Sequence, residues 1–220
     1  MAASSSWVST RSKNQELDSP HKRIKDFKSI RKNLEKLGQN LTVLNLAHNA
    51  IFEIPDYLTV LCPNLKRLNL ANNKIKVVPS HLGSLKKLEH LNLAFNEIKI
   101  LPVTFGNLIC LTHLDLSRNL LTDDSLMNPP KIFDLRTIER LYLSDNFLEK
   151  IGPEFGTFGN LKILALRYFT QYLKITEKVS CNFDLKLAVK QCYQTGQLYF
   201  YKNCMLQTAK IENLLMRHFW

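Results

Sequence analysis

Hydrophobic and polar positions alternate along residues 41–166 in a pattern that recurs every 23 to 27 residues. Each copy has the form LxxLxLxxNxL, with aliphatic residues at positions one, four, six and eleven and asparagine at position nine in all but the last, partial copy. The six copies begin at Leu41, Leu65, Leu88, Leu111, Ile138 and Leu161. So many matches in one register favour a structural repeat of about five and a half copies over chance similarity.

Positions three to seven of each copy alternate like a short β-strand, whose side chains point to opposite faces in turn. The aliphatic side chains at positions four and six therefore share one face, which stacked copies can bury and a single copy cannot. The asparagine at position nine is predicted to turn the chain and to bind backbone groups that the turn would leave buried. The predicted structural ladder is Asn49, Asn73, Asn96, Asn119 and Asn146.

The second half of each copy contains Pro and Gly, as in Val78-Pro79 and Leu101-Pro102, and favours extended or 3₁₀ backbone. The sequence thus predicts an α/β repeat fold. It is a leucine-rich-repeat solenoid, or horseshoe, over residues 41–167, with a parallel β-sheet on its concave face.

The flanks differ from the repeats. Residues 1–16 are Ser-rich and polar and are predicted to form a disordered N-terminus. Within residues 17–40, hydrophobic residues at steps of three or four from Ile24 to Leu37 predict a helical cap over the end of the core. Residues 168–220 lack the repeat and are predicted to form an irregular tail, partly helical or disordered.

Two interpretations of this tail stay open. It is a helical C-terminal cap, with Ile211, Leu214, Leu215 and His218 on one helical face. Alternatively, it is a continuation from an alternative exon or from a non-coding segment, because nothing in it matches the preceding regularity.

The net charge of the chain does not alter the prediction of a repeat fold. The chain has 30 Lys and Arg against 19 Asp and Glu, a formal charge of +11, but residues 41–167 contribute only +2 of it. Solvated basic flanks are therefore favoured over a nucleic-acid groove, which needs a basic stripe on the folded surface. Binding to nucleic acid or peripherally to an anionic membrane, through residues 11–36 and the tail, is kept as an alternative function.

Five widely spaced cysteines without a CxxC pair, and no apolar run near the roughly 18–20 residues of a membrane span, favour a cytoplasmic protein. The chain lacks the GxGxxG, Walker, HExxH and GxSxG motifs and has only seven glycines. We expect no catalytic residue, cofactor or small-molecule substrate. His90 and His113, near Asp115, could bind a metal, but a solvated histidine pair is favoured over a metal site.

Positions three, five and seven are predicted to face outward along the strands, with position eight at the rim. The columns at positions three, five and eight form contiguous stripes of polar, aromatic and Arg side chains that suit binding to a protein surface. The predicted partner-binding residues are Arg67, Asn69, His90, Asn92, Phe95, His113, Asp115, Arg118, Arg140, Tyr142 and Asp145.

The 23-residue unit, as in residues 88–102, resembles the intracellular leucine-rich repeats of Ras-associated proteins. The 27-residue copy with its long insertion, from Asn119 to the Leu-Tyr-Leu-Ser-Asp-Asn strand ending at Asn146, is similar to the Ras suppressor protein 1 family. The resemblance spans about residues 17–167. It implies a non-catalytic adaptor in Ras-linked signalling and cell–matrix adhesion, located at adhesion sites, whose partner is a LIM-domain adhesion adaptor or a Ras-pathway component.

This chain departs from that family after Arg167, where the family continues with further repeats; the departure implies a truncated or alternatively spliced form. A repeat-type regulatory subunit of a phosphatase or a ligase is a further alternative on the same scaffold.

Overall fold

The structure is a computed structural model that describes residues 15–127, 132–148, 150–151, 155, 157–167, 174–175, 187–192 and 197–202. Its strands are β1 (Glu16–Asp18), β2 (Val43–Asn45), β3 (Arg67–Asn69), β4 (His90–Asn92), β5 (His113–Asp115), β6 (Arg140–Tyr142), β7 (Lys150–Ile151), β8 (Ile163–Arg167), β9 (Lys174–Ile175), β10 (Leu187–Cys192) and β11 (Gln197–Lys202). Its α-helices are α1 (Arg31–Leu37), α2 (Tyr57–Leu61) and α3 (Asp123–Met127). Among these helices, none combines the length and the apolarity that crossing a bilayer requires.

An open parallel sheet organises the fold. Strands β1 to β6 and β8 stand side by side in chain order, and each is paired in parallel with the next. The register aligns the leucines at position four of successive copies, for example Leu68 with Leu91 and Leu91 with Leu114. The predicted leucine-rich-repeat solenoid with a parallel sheet is therefore confirmed.

The core runs as one continuous cluster beneath this sheet. Leu44, Leu70, Leu93 and Leu116 are fully buried, like nearly every other aliphatic residue at positions one, four, six and eleven. Each fully buried leucine contributes roughly 1.5–3 kcal/mol by its removal from water. Because each copy shares this layer with its neighbours, the stack, not the single copy, is the stable unit.

The N-terminal cap differs in detail from the helix expected over Ile24 to Leu37. A 3₁₀ turn at Phe27–Ile30 leads directly into α1, and the Asp26 side chain accepts hydrogen bonds from the backbone N–H groups of Lys28 and Ser29 at 3.0 and 3.3 Å. The hydrophobic residues of this segment are nevertheless all buried. The predicted hydrophobic side chains therefore do pack the cap against the core, but they are carried by a 3₁₀ turn and a short α-helix and not by one continuous helix.

A strand that the sequence did not predict, β1, precedes this cap and pairs with β2. Residues 15–24 form a degenerate copy that keeps Leu17 at position four and Ile24 at position eleven, both buried. Ser19 replaces the aliphatic residue at position six, and Lys22 replaces the ladder asparagine. Backbone hydrogen bonding to β2 therefore stabilises β1 although this copy lacks the repeat's characteristic residues at positions six and nine. Residues 1–14 of the predicted disordered N-terminus lie outside the described residues.

The return segments lie on the side of the core away from the sheet. In the parts of the return segments that the structure describes, 3₁₀ turns form at Ser80–Ser84, Val103–Asn107 and Ile132–Asp134, as expected. The first return segment instead forms the short helix α2, and the 27-residue copy adds α3 directly after its corner.

Part of the tail forms strands where the sequence predicts an irregular segment, partly helical or disordered. Strand β11 pairs antiparallel with β8 and, on its other side, antiparallel with β10. Strand β11 carries the run Leu-Tyr-Phe-Tyr, whose aromatic residues favour extended backbone. The helical face expected at residues 211–218 lies outside the described residues.

Candidate functional site

The corner that ends each strand is built around the asparagine at position nine. In the third copy, Asn96 Nδ2 donates to the carbonyl oxygens of Leu93, Ala94 and, in the preceding copy, Leu70, at 3.0, 3.2 and 3.0 Å. Its Oδ1 accepts from the backbone N–H of Ile75, also in the preceding copy, at 3.0 Å. The same bonds recur at Asn73, Asn119 and Asn146, and Asn49 makes them to Ser19, Lys22 and Ile24 of the degenerate copy. These asparagines thus join each copy to the one before it.

The residue at position eight of each copy whose corner the structure describes, predicted to lie at the rim, has left-handed backbone, a conformation that the repeat pattern did not predict. These position-eight residues have φ of 54 to 56° and are His21, His48, Asn72, Phe95, Arg118 and Asp145. For residues other than Gly, this conformation costs roughly 1–2 kcal/mol each. The one feature of the sequence that could have indicated this conformation is that none of these residues is β-branched.

Contacts between neighbouring copies line up these corner residues. The rings of His21 and His48 stack at 4.3 Å, and His48 Nδ1 lies 2.7 Å from Asn72 Nδ2. Farther along, the Arg118 guanidinium lies 4.7 Å from the centre of the Phe95 ring, and Arg118 Nε donates to Asp145 Oδ2 at 3.0 Å. Three predicted partner-binding residues, Phe95, Arg118 and Asp145, therefore belong to this corner row.

Position three forms a basic column on the outer face of the sheet: Arg67, His90, His113 and Arg140, aligned in register on β3 to β6. The two imidazoles stack with their centres 4.1 Å apart and their planes 29° apart. Burial lowers the pKa of both imidazoles, and the charges of Arg67 and Arg140 lower both further. Neutral rings stack without charge repulsion, so this pair is arranged for the uncharged state.

The position-five side chains of β3 to β5 each accept a hydrogen bond from the protein's own backbone. Asn69, Asn92 and Asp115 each accept a hydrogen bond from the backbone N–H two residues on, at 3.1, 3.0 and 2.9 Å. Burial raises the pKa of Asp115, although the hydrogen bonds from Ser117 oppose the increase. These three residues shape the surface as well as present polar groups on it, a dual role that the strand alternation did not reveal.

A groove of about 510 Å³ runs across the outer face of β2 to β6. We call this the concave groove; positions three and five of the strands line it. From the predicted set it brings together Arg67, Asn69, His90, Asn92, His113, Asp115 and Tyr142. Val43 and Asn45 also line it, whereas Arg140 continues the basic column beside it and the corner row lies apart.

A second cavity, of about 560 Å³, adjoins the 27-residue copy. Ile100 and Phe147 line it and are 68% and 57% exposed. The repeat pattern does not indicate this surface. Within the described residues, no three His, Cys, Asp or Glu side chains converge on a position where a metal could bind.

Comparison with known proteins agrees with this geometry. The model of the leucine-rich repeat family matches residues 39–98 and 63–121. A leucine-rich-repeat protein of Leptospira interrogans is 28% identical, with a TM-score of 0.53 over 67% of this chain and 41% of that one. No curated protein matches the sequence.

Two further complexes are also similar. TLR13 in its complex with ssRNA13 is 28% identical, with a TM-score of 0.58 over 72% of this chain and 23% of that one. The plant peptide hormone receptor RGFR1 in complex with RGF2 is 28% identical, with a TM-score of 0.51 over 67% of this chain and 27% of that one. The match spans less than half the length of each of these three proteins.

Proposed function

Because the leucine-rich repeat model matches residues 39–121 and the sheet has that fold, we propose that this protein is a non-catalytic module that binds a protein partner in the concave groove. Leucine-rich-repeat domains are typically protein–protein interaction modules, which supports this proposal. RGFR1, a similar structure, is in complex with RGF2.

The observation that carries the proposal is the composition of the groove. Asn69, Asn92 and Tyr142 present amide, aromatic and hydroxyl groups on strands that backbone pairing and the ladder hold in fixed register. Rigid, mixed polar and aromatic surfaces bind protein partners with little loss of conformational freedom. The groove therefore offers prearranged contacts for a folded or extended polypeptide.

We further propose the finer role that the sequence resemblance implies: an adaptor in Ras-linked signalling and cell–matrix adhesion, with a LIM-domain adhesion adaptor or a Ras-pathway component as partner. The support is the 27-residue copy, whose Leu141-Tyr142-Leu143-Ser144-Asp145-Asn146 strand and corner form part of the binding face and of the corner row. Location at adhesion sites in the cytoplasm belongs to the same proposal.

A photo-crosslinking pair tests the binding face. p-Benzoylphenylalanine replaces Tyr142 in the groove in one variant and Phe52, which is 54% exposed and outside the groove, in the other. We expect irradiation in cells to attach a protein partner at position 142 and not at position 52, as identified by mass spectrometry. Equal adducts at both positions, or none at position 142, would exclude the groove as the main binding surface.

A further inference from the structure

The basic column continues across four strands without a carboxylate of its own. With strands about 4.8 Å apart, the Arg67 and Arg140 positions lie about 14 Å apart, and His90 and His113 fill the interval. Both arginine side chains are exposed, so an approaching ligand can reach them. An extended peptide lying across the strands would cover this distance with about four residues.

Two of the carboxylates beside the column are engaged elsewhere. Glu89 pairs with Lys66 at 3.2 Å, and Glu139 pairs with Lys162 at 2.8 Å. Within residues 15–127 and 132–148, no Asp or Glu side chain lies in an ion pair with Arg67 or Arg140. The two guanidinium groups therefore keep their charge-assisted donors for a ligand.

Hydrogen bonding fixes which nitrogen of His113 carries the proton. The Thr112 hydroxyl donates to the Glu89 carbonyl oxygen at 3.0 Å, which uses its one hydrogen. The 2.8 Å contact between Thr112 Oγ1 and His113 Nδ1 therefore has the ring N–H as donor. Neutral His113 leaves Nε2 as an acceptor, and on acidification Nε2–H becomes a donor for an anion.

We propose that the partner fills the concave groove with an acidic segment, whose carboxylates bind Arg67 and Arg140 and draw a proton onto His113. This inference rests on the proposed function and specifies the chemistry of the partner. Binding takes up a proton, so affinity rises as the pH falls from neutral. The charged and titratable groups around His113 on the neighbouring strands are Arg67, Glu89, His90, Asp115, Glu139, Arg140 and Tyr142.

A protein segment suits this column better than a nucleic acid does. Only two permanent positive charges line the column, and Asp115, Glu89 and Glu139 lie beside them. A nucleic acid needs a longer run of cations, because its affinity comes mainly from phosphate contacts. Two guanidinium groups about 14 Å apart match carboxylates a few residues apart on one chain.

The test measures binding of a fluorescent octaglutamate peptide to the full chain by anisotropy, at pH 7.5 and 6.0 and constant ionic strength. Octaglutamine and octauridylate are the comparison probes. The double variant R67Q/R140Q removes the ends of the column. The matched control K32Q/K36Q removes the same charge from exposed positions of α1. Circular dichroism verifies that all variants fold.

We expect octaglutamate to bind and octaglutamine not to bind, with about tenfold weaker binding for R67Q/R140Q and unchanged binding for K32Q/K36Q. Affinity rises at pH 6.0, and H113Q removes that rise. Equal losses in both double variants, tighter binding of octauridylate, or no binding of octaglutamate would overturn the inference. If octaglutamate fails while position 142 still crosslinks a partner, the proposed function stands without this chemistry.

Discussion

At the scale of single residues, the ladder asparagines hydrogen-bond backbone groups of two neighbouring copies. Asn96 is 8% exposed, and its amide serves three carbonyl groups and one N–H group that solvent does not reach. By contrast, Asn92 in the same copy is half-buried and accepts a single backbone hydrogen bond. Two asparagines four residues apart thus differ in the number and burial of the hydrogen bonds that their removal would lose.

Asn96→Ala is expected to lower the free energy of unfolding by about 3 kcal/mol, because four buried hydrogen bonds are lost and the buried N–H of Ile75 is left without an acceptor. Asn92→Ala, the matched control, is expected to cost about 1 kcal/mol. Urea denaturation followed by circular dichroism measures both values. Similar losses for the two variants would show that the ladder contributes no special stability.

The residue scale also shows what a sequence can and cannot predict here. Asparagine recurs at position nine in register, so the ladder positions could be predicted. The left-handed position eight could not, because its occupants, such as Phe95 and Arg118, share a backbone conformation and no side-chain chemistry. The local role of Asp115 was also missed, since alternation indicates which way a side chain points and not what it binds.

At the scale of elements, successive return segments pack backbone against backbone. Gly83 of the Ser80–Ser84 turn lies against Thr104 of the Val103–Asn107 turn, where a Cβ would overlap the Thr104 carbonyl oxygen and come within 2.9 Å of its Cβ. Lys86 Nζ joins the same two turns by donating to the carbonyl oxygens of Gly83 and Asn107, each at 3.0 Å. The two turns can therefore lie this close together only because Gly83 has no side chain.

Gly83→Ala is expected to destabilise the protein by about 2 kcal/mol, because the two turns must separate to admit one methyl group. Gly159→Ala provides the control, since a Cβ there meets nothing within 4 Å. Its effect is expected to stay within about 0.5 kcal/mol. Thermal denaturation of both variants decides the matter, and a Gly83→Ala protein as stable as the control would contradict the described packing.

At the scale of the whole molecule, an open sheet must protect its two ends. The first end carries the three-residue strand β1, and the cap residues Phe27 and Leu34 cover the core. At the other end, β11 pairs antiparallel with β8, and β10 pairs antiparallel with β11 as the outermost strand. The sequence predicted the first cap from the spacing of its hydrophobic residues. It did not predict the hairpin, because the tail carries no repeat from which to infer pairing.

Tyr199→Pro is expected to expose the edge of β8 and cause self-association. Residue 199 is paired on both sides, with Ala165 of β8 and Lys190 of β10, and proline cannot donate to either neighbour. Leu187→Pro is the control, because the first residue of the outer strand β10 tolerates proline. Light scattering after size-exclusion chromatography measures the mass, and a monomeric Tyr199→Pro protein would contradict this role of the hairpin.

The 27-residue copy shows how the architecture accommodates extra sequence. Its additional residues follow the corner, and the pairing of β5 with β6 keeps the same register as that of β4 with β5. The return segment after Leu121 therefore accepts additional residues. By contrast, an insertion between a strand and its corner asparagine would misalign the later copies. An epitope tag, a fluorescent reporter or a second binding loop grafted into that return segment should leave the groove as it is.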